Sequence, residues 1–200
     1  MMNTRLQNRL TETEILKIFS DTVEAVAHMH YQSPPLIHRD LKVENILLSP
    51  PNTYKLCDFG STVTPLKRVP TAVPEIQALE LDINKTTTLQ YRAPELVDVW
   101  TRKGYDEKID IWALGVLLYK LCYYTTPFEE QGPLAILNAQ YKFPPYPAYS
   151  NSIKSLIASM LVENAKNRPN IYQVHEQVSR LRGVAIKLEN VCSALKPSER

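Results

Sequence analysis

The 200-residue sequence predicts a mainly α-helical fold carrying one small β-hairpin. Three stretches predict it. Thr11-Glu12-Thr13-Glu14 has the form of a capping box, and Leu16, Phe19, Val23, Val26, Ala27 and His30 then recur at the spacing of an amphipathic helix. Two short apolar runs, residues 45–48 and 54–57, flank a Ser49-Pro50-Pro51-Asn52 turn, which is a hairpin signature. Residues 105–124, with Asp106 as the expected N-cap, include Ile109-Asp110-Ile111-Trp112-Ala113-Leu114-Gly115-Val116-Leu117-Leu118. A helix apolar on nearly every side is a buried one, so this segment is read as the core. Asp110 inside it must be hydrogen-bonded to be tolerated there.

Composition bounds the function classes. The length suits one domain or one large lobe, and 44% hydrophobic with 22% charged residues is ordinary for a soluble globular protein. A net charge of +2 makes no electrostatic case for nucleic acid or membrane binding. No apolar run approaches the roughly 20 residues needed to span a bilayer, and the first five residues lack a signal-peptide core. Cys57, Cys122 and Cys192 are odd in number, widely spaced and set in apolar surroundings. That pattern argues against a disulfide framework or a zinc site and for a reducing, cytoplasmic setting. Nothing in the sequence speaks to oligomeric state.

In chain order, the first helix is expected to support the polar loop that begins at His38. Its His28 and His30 are read as helix-end residues, where positive charge is favourable, because no acidic or Cys partner lies at ligand spacing. Gln32-Ser33-Pro34-Pro35 ends that helix. After the hairpin, residues 58–95 show little periodicity; three prolines break the first half, and residues 73–82 are expected as a short helix. A connection this long inside a compact domain is usually functional. Residues 133–140 read as a short helix. The Phe143-Pro144-Pro145-Tyr146-Pro147 run reads as a rigid connector in preference to a polyproline ligand. Ile153, Leu156, Ile157, Met160 and Leu161 mark another amphipathic helix. A last one spans residues 171–181 and ends at Gly183. Residues 184–200 carry only weak helical periodicity.

The densest chemistry lies in residues 38–60. A hairpin brings its ends together, so Asp40 and Asn45 before it and Asp58 after it are expected to converge. Two carboxylates and an amide oxygen are hard ligands that suit Mg2+ bound with phosphate oxygens, and Lys42 adds a cation for a transferring phosphoryl group. His38-Arg39-Asp40-Leu41-Lys42-x-x-Asn45 and Asp58-Phe59-Gly60 resemble the catalytic loop and metal-binding motif of eukaryotic protein kinases. The ordered spacing of both motifs argues against a mere hairpin with a solvated, charged mouth. Asp40-Leu41-Lys42-Val43-Glu44-Asn45, Cys57 before Asp58, and Leu89-Gln90-Tyr91-Arg92-Ala93-Pro94-Glu95 look like the Numb-associated kinases, with the nearest likeness to the fungal Ark/Prk actin-regulating branch.

The resemblance implies a kinase C-terminal lobe over residues 1–183, without an N-terminal lobe, with a tail at 184–200. It implies phosphoryl transfer from ATP and Mg2+ to serine or threonine of protein substrates such as endocytic adaptors, in the cytoplasm at cortical actin patches. Asp40 would orient the acceptor hydroxyl, Lys42 would stabilise the transferring group, and Asn45 and Asp58 would hold the metal. Thr88, at the family's spacing before the Ala93-Pro94-Glu95 motif, would bond Asp40 and Lys42 and favour Ser or Thr as acceptor. His38, Arg39, Glu95, Asp110 and Arg168 are implied supports. Asp110 would hold the catalytic-loop backbone, and Arg168 would pair with Glu95 to pin the activation segment. A phosphate on that segment would pair with Arg39, with Thr62, Thr64, Thr71, Thr86 and Thr87 as unranked acceptors.

The departure from the family is a missing Gly-rich loop, strand lysine and helix glutamate. The five glycines are scattered, and few residues precede His38. The expectation is therefore an N-terminally truncated kinase, with weak or absent ATP binding by this chain alone and apolar surface exposed where a small lobe would sit. A non-catalytic binding module and a lobe completed by another polypeptide are the alternatives. Intact Asp40, Lys42, Asn45 and Asp58 favour the first reading, since a binding module has no chemical need of them. Cys57 is read as a small buried strand residue in preference to a thiol exposed to electrophiles at the back of a nucleotide pocket.

Overall fold

The computed structural model describes residues 9–190. In order they form α1 (Glu12–His30), β1 (Ile46–Ser49), β2 (Thr53–Leu56), α2 (Val73–Thr86), α3 (Pro94–Val97), α4 (Lys108–Tyr123), α5 (Pro133–Leu137), α6 (Asn151–Met160) and α7 (Ile171–Arg182). The strands pair antiparallel, Ile46 opposite Leu56 and Ser49 opposite Thr53. The fold is thus mainly helical with one hairpin. The chain's opening residues, Cys192 and the run from Lys196 to Arg200 lie outside the described residues.

α4 is the axis of the molecule. Every residue of it except Lys108 and Lys120 is buried, as its nearly continuous apolar sequence requires. α1 packs on α4, α7 and β2, while α6 packs on α4 and α7. The α4–α6 approach depends on Gly115, where an added Cβ would lie 2.9 Å from Leu161 Cδ2 and 3.0 Å from Met160 Cβ. Each large aliphatic side chain buried along these contacts contributes about 1.5–3 kcal/mol. α1 begins as its sequence dictates: the Thr11 hydroxyl accepts the Glu14 N–H, and the Glu14 carboxylate accepts the Thr11 N–H.

Several boundaries differ from expectation. α4 starts at Lys108, and Asp106 is not its N-cap, although its Oδ1 accepts the Lys108 N–H at 2.9 Å. α2 continues to Thr86 because Ile76 and Ile83 are both buried on one face. α5 stops at Leu137. α7 ends against Gly183, whose φ of 65° admits the left-handed turn, and residues 184–190 are not helical. The Pro-rich connector is anchored by rings: Phe143 lies 6.0 Å from Tyr119, and Tyr149 lies 5.6 Å from Tyr123.

Candidate active site

The loop between α1 and β1 takes its shape from a carboxylate beneath it. Asp110, fully buried in the first turn of α4, accepts the backbone N–H of His38 at 2.8 Å and that of Arg39 at 3.0 Å. A third contact, 3.0 Å, comes from His30 Nε2. Three donors offset the cost of burying this charge. They also hold Arg39 in the left-handed region at φ 67°, a conformation that costs a non-glycine residue about 1–3 kcal/mol. His30 is therefore part of the support, not simply a helix-end residue. It was missed because its partner lies 80 residues away, yet one signal was present: it occupies an apolar position of the α1 pattern.

On that base three polar side chains close a triangle. Lys42 Nζ donates to Asp40 Oδ2 at 2.6 Å, the Thr88 hydroxyl donates to Asp40 Oδ1 at 2.7 Å, and Lys42 Nζ donates to the Thr88 oxygen at 3.2 Å. Asn45 joins from below, its amide donating to the Asp40 carbonyl at 2.8 Å and to Oδ2 at 3.4 Å. Burial by itself would raise the Asp40 pKa. The hydrogen bonds from Lys42 and Thr88, the Lys42 charge and the Asn45 amide outweigh it and hold the carboxyl below its ordinary value.

The hairpin brings Asp58 to the same mouth. The Cys57 N–H donates to the Asn45 carbonyl at 2.9 Å, and the thiol approaches the same oxygen at 3.2 Å. Cys57 sits one residue past β2 and is half-buried, not a buried strand residue. Asp58 itself is exposed, at φ 63°. His38 ties the two loops: its Nδ1 accepts the Asp40 N–H at 3.3 Å, so Nε2 carries the hydrogen and donates to the Cys57 carbonyl at 3.2 Å. Phe59 lies edge-on to the His38 ring at 5.5 Å.

Asp40 and Asn45 thus touch, and Asp58 comes directly after the residue bonded to Asn45. The Asp40 oxygens are engaged by Lys42 and Thr88, which leaves the amide oxygen of the buried Asn45 and the exposed Asp58 carboxylate as the remaining hard donors. Among the described residues no three His, Cys, Asp or Glu side chains gather into a metal cage. Mg2+ held by one or two protein oxygens together with phosphate oxygens and water needs no such cage, so the donor set fits it.

The segment after Asp58 is pinned at several points. Ile37 and Val63 exchange backbone hydrogen bonds of 2.7 and 3.0 Å. Arg168 grips Glu95 through two bonds of 2.7 and 2.8 Å, and its guanidinium lies 5.0 Å from the Trp112 ring centre. Arg39 Nε donates to the Ser61 carbonyl at 2.7 Å, and Nη1 donates to Asp82 at 2.6 Å. Sequence reasoning missed Asp82, which no local pattern distinguishes from other helix-surface acids. Beside Asp40 a groove opens, lined by Lys42, Glu44, Thr88, Gln90, Tyr91 and Lys120. Leu47 and Leu48 on β1 and Phe59 just past the hairpin are each more than half exposed.

Comparison with known proteins agrees with this geometry. The protein kinase domain family matches residues 1–178. Serine/threonine-protein kinase ppk30 of Schizosaccharomyces pombe is 57% identical over 198 residues, covering 98% of this chain and 21% of that protein. Actin-regulating kinase 1 of Saccharomyces cerevisiae is 51% identical over 197 residues, covering 98% of this chain and 31% of that protein. Actin-regulating kinase PRK1 of the same yeast is 53% identical over 189 residues, covering 94% and 23% respectively. The chain spans a fifth to a third of the length of these relatives.

Proposed function

The chain belongs to the serine/threonine protein kinase family, and from that premise we propose that the Asp40 site transfers a phosphoryl group from MgATP to serine or threonine of protein substrates. The single observation that carries the reading is the closed triangle of Asp40, Lys42 and Thr88. A carboxylate held below its ordinary pKa is a weak base, so Asp40 orients the acceptor hydroxyl and receives its proton late in the transfer. Lys42 already bridges Asp40 and Thr88, and its ammonium supplies positive charge to the transferring group. Thr88 bonds the carboxyl oxygen that would face the acceptor and so favours an aliphatic hydroxyl. Asn45 and Asp58 would hold Mg2+, and MgATP when bound would supply the phosphoryl group together with charge neutralisation at its phosphates. His38, Arg39, Asp110, Glu95 and Arg168 act through these residues by fixing loops.

The groove between Lys42 and Lys120 is where the substrate segment lies. A small lobe of the whole protein packs against the hairpin, where Leu47, Leu48 and Phe59 are exposed, and encloses the nucleotide. The names of the yeast relatives, both actin-regulating kinases, support actin regulation as the setting; within it we propose endocytic adaptors at cortical actin patches as the substrates.

The deciding experiment compares phosphoryl transfer by the chain and by its Asp40→Asn variant at saturating MgATP. The expected loss is about 10²-fold or more, the contribution of a positioned acid–base group. Equal rates would exclude catalysis by this site.

A further inference from the structure

We propose that Lys120 is a specificity-determining residue of the groove beside Asp40: its ammonium neutralises Glu44 there and makes the groove turn away acceptor segments that carry a basic side chain close to the acceptor residue. This rests on the reading of that groove as the place where the substrate segment lies. The groove has a volume of about 380 Å³, within the range of ligand clefts. Lys42 and Lys120 are the cations of its lining, and Glu44 and Glu129 are the carboxylates. Its selectivity therefore depends on which of these charges are already paired.

α4 supplies Lys120 from its last turn, where a cation is favourable in itself. That helix-end role would be met by a side chain pointing anywhere into solvent. Lys120 is instead fixed between two other elements. Its Nζ lies 3.6 Å from Glu44 Oε1, in the turn before β1, and 5.7 Å from the centre of the Tyr91 ring, in the turn before α3. The second distance is within cation–π range. The Lys120 side chain is 24% exposed against 60% for Glu44, so the cation is the more deeply set of the pair.

A substrate lysine or arginine gains most from a carboxylate that has no partner, and each carboxylate here already has one. Glu44 has Lys120. Glu129 accepts the Thr126 N–H at 3.1 Å and the Thr125 hydroxyl at 2.8 Å, and these bonds, with the Lys120 charge, hold its carboxyl below its ordinary value. Asp40 has Lys42 and Thr88. An incoming basic side chain would therefore meet Lys42 and Lys120 without gaining a free anion, whereas an uncharged one meets no such repulsion. Discrimination of this kind works by penalising the wrong segment.

The test measures transfer by the 200-residue chain to a threonine peptide of uncharged residues and to a panel in which lysine replaces each flanking residue in turn. In the wild type, lysine close to the threonine should raise the KM for peptide about fivefold or more. Lys120→Met keeps the stem beside Tyr91 and removes the charge, so it should abolish most of that penalty at the same positions. Glu44→Gln removes the counter-ion and should enlarge the penalty; it also decides the matter if Lys120→Met does not fold. Wild-type tolerance of lysine at every position would overturn the proposal, as would a wild-type profile in both variants. Absence of transfer to every peptide would instead remove the kinase reading. Binding of the same panel, followed by NMR shifts of the chain, would then decide Lys120: lysine peptides that bind as well as the uncharged one, or no binding at all, would overturn its role.

Discussion

The two sides of the site are built differently. On the Asp40 side, each polar group is braced: Asp110 under His38 and Arg39, Arg168 on Glu95, Thr88 and Lys42 on Asp40. The Asp58 side is open, with Asp58 and Phe59 exposed just past the hairpin and Leu47 and Leu48 exposed on β1. Positioning an acceptor hydroxyl requires fixed groups. Holding a nucleotide requires enclosure. The proposed chemistry and the folding stability therefore share the Asp40 side, and substitutions there should disturb both together.

The largest effect is expected at Arg168→Ala. It leaves Glu95 buried without its partner and should cost about 3–5 kcal/mol in urea unfolding. A cost below that of an ordinary surface substitution would show that the brace is dispensable. Asp110→Asn keeps the shape but loses the charge and one acceptor. About 1–3 kcal/mol is expected, with transfer falling further than stability because the Arg39 backbone turn is released.

Acid should act next. Because the Asp40 pKa is depressed in the folded chain, its stabilising contribution is present above the ordinary value of 3.8 and is lost as pH falls through the lower folded value. The unfolding free-energy difference between wild type and Asp40→Asn should accordingly shrink only at pH below that ordinary value. A difference already gone at about pH 5 would mean the carboxyl is not held down. The smallest effect belongs to the open mouth. Phe59→Ser should change stability of the chain by less than about 0.5 kcal/mol, since the ring is 55% exposed. A large loss there would mean the nucleotide side is braced after all.

Much of this was legible in the residues. The capping box at Thr11, the hairpin turn and the apolar run of α4 are local patterns, and each formed the element it encodes. Asp40, Lys42, Asn45, Asp58 and Thr88 drew attention by spacing, and the fold gathers four of them in direct contact, with Asp58 beside Cys57 at the hairpin base. His30 and Asp82 did not, because neither breaks a local rule. A histidine near a helix end and an acid on an exposed helix are ordinary until a partner arrives from another element. The extent of α2 was underestimated for a related reason: Ile83 is an unexceptional residue in an irregular stretch until it is seen to share a buried face with Ile76.

By itself the sequence determined the element types and singled out the candidate site residues, since helical and hairpin periodicities and motif spacing act over a few residues. The tertiary structure alone decided which charges meet. Asp110 reaches His38 across 72 residues, Arg168 reaches Glu95 across 73, and Arg39 reaches Asp82 across 43. Such pairings depend on where the packed helices bring the chain, because buried charges accept only partners that the core places within hydrogen-bond range.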